Sequence, residues 1–246
     1  MNLIIVERSE LSDTGDVTLT DARAMHMVKV LKVAPGHQVR IGMLEGPRGT
    51  GTVRSAGDGT IALRCEFEPD TPPRPRVDLL LAVPRPKVMR RLWAQIAALG
   101  VGRIILTNAE RVERHYFDTH ILAPDTYRPL LVEGLQQALD TRLPAVSIHR
   151  QFKLLIEDHL DGLAGRSLRA VADPGARERV AGVLHAGGDE RMLVAIGPEG
   201  GWNAFEISLL EAHGFRLIGM GPRTLRTDTA CVALLTLVHD AMRPRA

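Results

Sequence analysis

The sequence predicts two unlike parts in tandem: a small β-barrel-like domain over residues 1–72, then an α/β domain with a mostly parallel sheet over 73–246. Three observations carry that prediction. Pro72-Pro73-Arg74-Pro75-Arg76 sets three prolines in four positions, which neither a helix interior nor a central strand accepts. Ahead of it the apolar segments are short and separated by glycine-bearing turns. Behind it continuous apolar runs alternate with stretches of helical spacing, the rhythm of βα units.

In the first part, strands are expected at 3–6, 38–43, 51–55 and 60–67, with turns at 45–49 and 57–59. One helix interrupts them, opening on a cap at Thr20 or Asp21 and running to about Leu31. In the second part, 79–83 is apolar throughout, as a strand covered on both faces must be. Val88, Leu92, Ile96 and Leu99 then repeat at helical spacing. Residues 104–106 form the next strand and 126–139 the next helix. The alternation continues through 145–148, 152–160, 168–172, 176–186, 191–196, 203–214, 215–219 and 229–242.

Composition narrows the function. The chain has 246 residues, 45% of them hydrophobic and 24% charged, which suits a folded protein with a sizeable core. No apolar run approaches the ~20 residues of a membrane span. The first seven residues end in Glu7 and carry no basic segment, so no secretory signal is expected. The two cysteines, Cys65 and Cys231, have no CxxC partner. The nine histidines show no HExxH spacing, so no metal is expected. A soluble cytoplasmic protein with reduced thiols is the expectation. The net charge of +2 conceals an asymmetry. Residues 73–92 hold Arg74, Arg76, Arg85, Lys87, Arg90 and Arg91 against Asp78 alone. Such a cluster can follow a phosphate backbone, or it can be a solvated helix start. Aromatic residues are only 4%, which argues against base-stacking platforms.

Two stretches carry the chemistry. Ile196-Gly197-Pro198-Glu199-Gly200-Gly201-Trp202 lies between a predicted buried strand and a helix starting near Asn203. Its glycines admit a ligand close to the backbone, at the strand end where α/β proteins bind ligands. It is neither GxGxxG nor a P-loop. A tight turn without a ligand is the competing explanation. The second stretch, 217–230, runs Leu217-Ile218-Gly219-Met220-Gly221-Pro222-Arg223-Thr224-Leu225-Arg226-Thr227-Asp228-Thr229-Ala230. Thr227 or Asp228 can cap the helix that follows. Arg223 and Arg226 then stand on a loop where an anionic group can reach them, or are simply surface arginines.

These two motifs, in this order and at this separation, resemble those of the RsmE family of the SPOUT superfamily. That family methylates uridine at N3 in 16S ribosomal RNA. The resemblance extends to 26–32 with Pro35-Gly36, to Lys87, to Leu99-Gly100-Val101 and to Glu110-Arg111, and so covers nearly the whole chain. The chain departs from the family pattern at Asn2-Leu3, Ala98, Gln136-Gln137 and Asp140. The resemblance implies a PUA-like barrel that binds RNA, then a SPOUT domain ending in a trefoil knot. It also implies a homodimer, S-adenosylmethionine as cofactor, and the small ribosomal subunit as substrate.

On that basis Gly197, Gly200 and Gly221 permit close approach of the cofactor, while Ile196, Met220 and Leu225 wall its adenine. For Met220 taken alone, ordinary core packing is the stronger reading. Ala172, Asp173 and Pro174 form a third side, and Pro198, Gly201, Leu217 and Arg226 complete the cofactor set. Uridine N3 must lose a proton to react, so a base or a positive charge is needed beside it. Arg226 is the candidate charge, Arg223 a phosphate contact and Glu199 a candidate base. Glu199 can instead be a helix-start carboxylate answering the dipole. RNA contacts fall to His26, Lys29, Lys32 and Arg40 in the first part, and to Arg85, Lys87 and Arg223 in the second. His26 and Lys29 also suit one solvated face of an amphipathic helix.

Overall fold

The computed structural model describes residues 2–183, 190–221 and 223–243. They form two compact units, Met1–Arg74 with Leu131–Leu143, and Pro75–Leu130 with Pro144–Ala246.

The first unit is a mixed five-stranded sheet. Its strands are β1 (Ile4–Val6), β2 (Asp16–Leu19), β3 (Gln38–Met43), β4 (Arg48–Gly57) and β5 (Thr60–Phe67), in the order β1-β3-β4-β5-β2. β1 runs parallel to β3, and the other pairs are antiparallel. Sequence reasoning misses β2, because four residues are too few to display alternation. Once paired with β5, it buries Val17 and Leu19 and turns Thr18 outward. Helix α1 (Ala22–Lys29) starts where Asp21 accepts the Arg23 N–H at 2.9 Å. It stops short of Leu31: Lys32 adopts the left-handed conformation, φ 51°, and Pro35 follows. Met27 and Ala24 from α1 join Ile4, Val17, Ile41, Ile61 and Leu63 in the core.

Residues 131–143 are stitched to the β3–β4 turn. Thr141 is buried and donates to the Gly46 carbonyl at 2.6 Å, while the Glu45 carboxylate accepts the Leu143 N–H at 2.6 Å. Asp140 accepts the N–H groups of Thr141 and Arg142, at 2.7 and 3.1 Å. The Asn2 side chain donates to the Gln137 carbonyl at 3.0 Å. Three of the places where the chain leaves the family pattern thus meet in one region or bend it.

The second unit is a six-stranded, fully parallel sheet in the order β11-β9-β10-β6-β7-β8. Its strands are β6 (Val77–Ala82), β7 (Val101–Thr107), β8 (Ala145–His149), β9 (Ser167–Ala172), β10 (Arg191–Ile196) and β11 (Phe215–Ile218). All six residues of β6 are buried, as the apolar run predicted. Its helices are α2 (Pro86–Ala98), α4 (Phe152–Leu154), α5 (Leu160–Ala164), α6 (Val180–Val183), α7 (Ala204–Ala212) and α8 (Thr227–Ala241), with the opening turns of α3 (Pro124–Ala138), whose residues from Leu131 onward belong to the first unit. A π-turn, Leu155–His159, joins α4 to α5. Helix α2 buries Val88, Leu92, Trp93 and Ile96 against the sheet. Expected helix 176–186 begins only at Val180, because Asp173 folds the preceding residues into a turn, accepting the Gly175 N–H at 2.7 Å. Its residues 184–186 lie outside the described residues, as does Pro222 of the second motif.

Asp78, the lone acid of the 73–92 stretch, is fully buried on β6. Arg191 of β10 grips it with two bonds, at 3.0 and 2.5 Å. Both thiols are also buried. Burial pushes the Cys65 thiol up to about 11 and raises that of Cys231 further. The native protein at pH 8 is therefore expected to react with a chromogenic disulfide reagent only after denaturation. Immediate labelling of either cysteine in the native chain would contradict that burial.

Among the described residues no helix is long and apolar enough to cross a membrane. No group of three or more metal-binding side chains comes together among them either.

Candidate functional site

The carboxyl ends of β9, β10 and β11 are neighbours in the sheet, so the loops that leave them converge. Asp173 donates its N–H to the Ile218 carbonyl at 3.0 Å, and Gly219 donates to the Glu178 carbonyl at 2.8 Å. The first and third loops are thereby tied backbone to backbone. In the second loop Gly201 donates to the Pro198 carbonyl at 2.8 Å, closing a tight turn. Gly201 has φ 71° and Gly221 φ 107°, conformations that glycine adopts at no steric cost.

A cleft opens between these loops and the start of α8. It is narrow and open to solvent at its mouth, with about 630 Å³ of empty space when that mouth is included. Ala172, Asp173 and Pro174 form one side. Ile196, Gly197, Pro198, Glu199 and Gly201 form the second. Met220, Gly221, Arg223 and Leu225 form the third. Most of the proposed cofactor set thus faces a single cavity.

Three members of the set stand elsewhere. Leu217 points to the opposite face of β11 from Ile218, which takes its place in the wall. Gly200 is turned toward Arg111, which donates to its carbonyl. Arg226 caps α8 with its backbone, and its side chain is 74% exposed, outside the cleft walls. Its guanidinium lies 3.7 Å from Asp228, which also accepts from Arg91 of α2 at 2.8 Å. The Arg91 guanidinium, more than any other group, holds the Asp228 carboxyl below the usual carboxylate range; partial burial opposes it.

Two helix starts differ from expectation. Glu199 is not the first-turn carboxylate of α7. Asn203 caps that helix and Glu206 closes the capping box, with bonds of 2.8 Å in both directions. Glu199 remains in the cleft wall and accepts the Arg85 N–H at 3.3 Å. Neither Thr227 nor Asp228 is the N-cap of α8; Asp228 instead accepts the Thr229 N–H at 3.0 Å.

Sequence reasoning missed Ile218, Thr224, Thr227, Ala230 and Leu234 as wall residues. The last three recur at helical spacing along α8, a signal that a fixed helix start would have exposed. Of the proposed RNA contacts, Arg85, Lys87 and Arg223 are exposed in the second unit. Lys29, Lys32 and Arg40 are exposed in the first unit, with no ion-pair partner among the described residues. His26 is half-buried, and its Nε2 has no hydrogen-bond partner there.

Comparison with known proteins points the same way. A family model described as an RNA methyltransferase domain matches residues 71–239. Ribosomal RNA small subunit methyltransferase E of Treponema pallidum is 29% identical over 243 residues, covering 97% of this chain and 90% of that protein. The protein of the same name from Mycobacterium bovis is 26% identical over 231 residues, covering 93% and 88%. A crystal structure of a ribosomal RNA small subunit methyltransferase E from Neisseria gonorrhoeae bound to S-adenosyl methionine shares the fold. It has a TM-score of 0.78 over 98% of both chains at 18% identity.

Proposed function

The chain belongs to the family of RNA methyltransferase domains, and from that premise we propose that it methylates a uridine at N3 in 16S ribosomal RNA of the small subunit, using S-adenosylmethionine. The observation that carries this reading is the single cleft built by the three converging loops, where glycine backbone meets apolar side chains. Its residues suit the cofactor. Ile196, Ile218, Leu225 and Leu234 offer an apolar wall, Thr224 and Thr227 hydroxyl groups, and Gly197, Gly201 and Gly221 backbone without a side chain in the way. Bound there, S-adenosylmethionine supplies an electrophilic methyl group.

The chain's part is to position the uridine and manage its proton. N3 would form a bond to the methyl carbon as that carbon's bond to the sulfonium sulfur breaks and S-adenosylhomocysteine leaves, and N3 would give up its proton. Glu199, in the cleft wall, is our candidate to receive that proton. Arg226 stands outside the cleft walls with its guanidinium exposed beside Asp228; turned from there toward the uracil oxygens, it would meet the negative charge that gathers on them. Arg223, also in the wall, is the candidate phosphate contact, with Arg85 and Lys87 on the same unit and His26, Lys29, Lys32 and Arg40 on the other.

The finer architecture is part of the proposal. We read the mixed sheet as a PUA-like RNA-binding domain and the three loops as a trefoil knot, consistent with the backbone bonds that tie the first and third loops. A homodimer is supported by exposed Val232 and Leu237 on α8 and Phe205 on α7. A cytoplasmic location follows from the substrate.

Arg226→Ala tests the site. We expect kcat for RNA methylation to fall about a hundredfold, the scale of losing one charge-stabilising group. The KM for S-adenosylmethionine should stay within about threefold, because the guanidinium lies outside the cleft walls. An unchanged kcat would remove Arg226 from the mechanism.

A further inference from the structure

The motif Glu110-Arg111 has no part in the mechanism above, yet it holds the glycine loop in two places. Arg111, on the loop after β7, donates from Nη1 to the Gly200 carbonyl. Its aliphatic stem occupies the space a Gly200 side chain would need. A Cβ there would meet the Arg111 Cδ at 2.8 Å and its Cβ at 3.4 Å. Gly200 is outside the left-handed region, unlike Gly201, so the space taken by Arg111 is what requires glycine at 200. The second fastening is Glu206, which is 3% exposed. One carboxylate oxygen accepts the Glu110 N–H at 2.7 Å, and the other accepts the Asn203 N–H at 2.8 Å. Neighbouring residues of one loop therefore clamp positions 200 and 203. Next to Gly200 lie Pro198, Glu199 and Gly201, all walls of the cleft.

We propose that Arg111 is a positioning residue: by gripping Gly200 it sets the shape of the 198–201 turn, and so the affinity of the cleft for S-adenosylmethionine. The proposal rests on reading the cleft as the cofactor site. It explains why an arginine on the loop of a strand two places away in the sheet and a glycine in the turn occur together, one filling what the other leaves open.

Four full-length variants test it: Arg111→Ala, Arg111→Lys, Gly200→Ala and the double Arg111→Ala/Gly200→Ala. In thermal unfolding without ligand, Gly200→Ala alone should lower Tm by about 3–8 °C, the scale of overpacking. In the Arg111→Ala background the same alanine should cost under about 2 °C, since the stem is gone. Additive Tm losses would overturn the lock. In calorimetric titration with S-adenosylmethionine, Arg111→Ala should weaken Kd about tenfold, and Arg111→Lys should recover part of that. A merely structural arginine would lower Tm and leave Kd within about twofold, which would overturn the positioning role. Failure of the wild-type chain to bind S-adenosylmethionine would overturn the cofactor reading and this role with it. The unfolding cycle needs no ligand and would still uphold or reject the contact.

Discussion

Alanine at Gly219 is expected to weaken S-adenosylmethionine binding about a hundredfold and to destabilise the second unit by about 1–3 kcal/mol. The added methyl would run into the Ala176 carbonyl oxygen and come within 3.4 Å of the Asp173 carbonyl. Both obstacles are backbone, so no side chain can rotate out of the way. Nor can the loop readily withdraw: Gly219 is bonded to Glu178 and Asp173 to Ile218, which hold the first and third loops together. The strain is relieved only by separating those loops, and Asp173, Pro174 and Met220 would then leave the cleft wall. Titration calorimetry and urea unfolding measure the two effects. A variant with wild-type Kd and urea midpoint would show that the loops do not pack as described.

The second large effect is expected at Asp78→Asn. The carboxylate is fully buried in the central strand, and each of its oxygens accepts a bond from the Arg191 guanidinium, one from Nε and one from Nη2. Removing its charge leaves Arg191 without a counter-ion beside the sheet. Breaking a fully buried pair costs about 3–5 kcal/mol. The Arg191 side chain is 35% exposed and can recover some hydration, so a loss of about 2–4 kcal/mol is expected. Urea unfolding should show it as a lower midpoint with an unchanged slope. Replacing both partners together by leucine should recover much of the loss, because no uncompensated charge remains. A loss under about 0.5 kcal/mol for Asp78→Asn would mean the pair is not formed.

Asp78 also shows where the sequence could and could not be read. Its position among five apolar residues of β6 marks a strand covered on both faces, and that strand lies fourth in the parallel sheet. Its partner, 113 residues away, is set by strand order, which spacing does not reveal. The same limit explains β2, whose alternation becomes visible only against β5. It also explains the return of residues 131–143 to the first unit, where Thr141 and Glu45 provide the link.

The cleft was more legible, because most of its walls come from two contiguous motifs. What spacing left open was the direction each residue faces. Alternation along β11 puts Ile218 rather than Leu217 in the wall. Gly200 serves Arg111, not the cavity, and Arg226 contributes a helix cap and an exposed guanidinium. Thr227, Ala230 and Leu234 were within reach of helical periodicity, had the helix been started at 227 instead of 229.

The central claim is methyl transfer to uridine N3. It is tested most directly by incubating the purified chain with labelled S-adenosylmethionine and small ribosomal subunits that lack the modification, then identifying the labelled nucleoside. The account predicts label in 3-methyluridine from 16S RNA, lost in Gly219→Ala and strongly reduced in Arg226→Ala. Cofactor binding without transfer to small subunits, large subunits or free ribosomal RNA would contradict it, and would leave an RNA-binding protein that keeps the cleft but not the reaction.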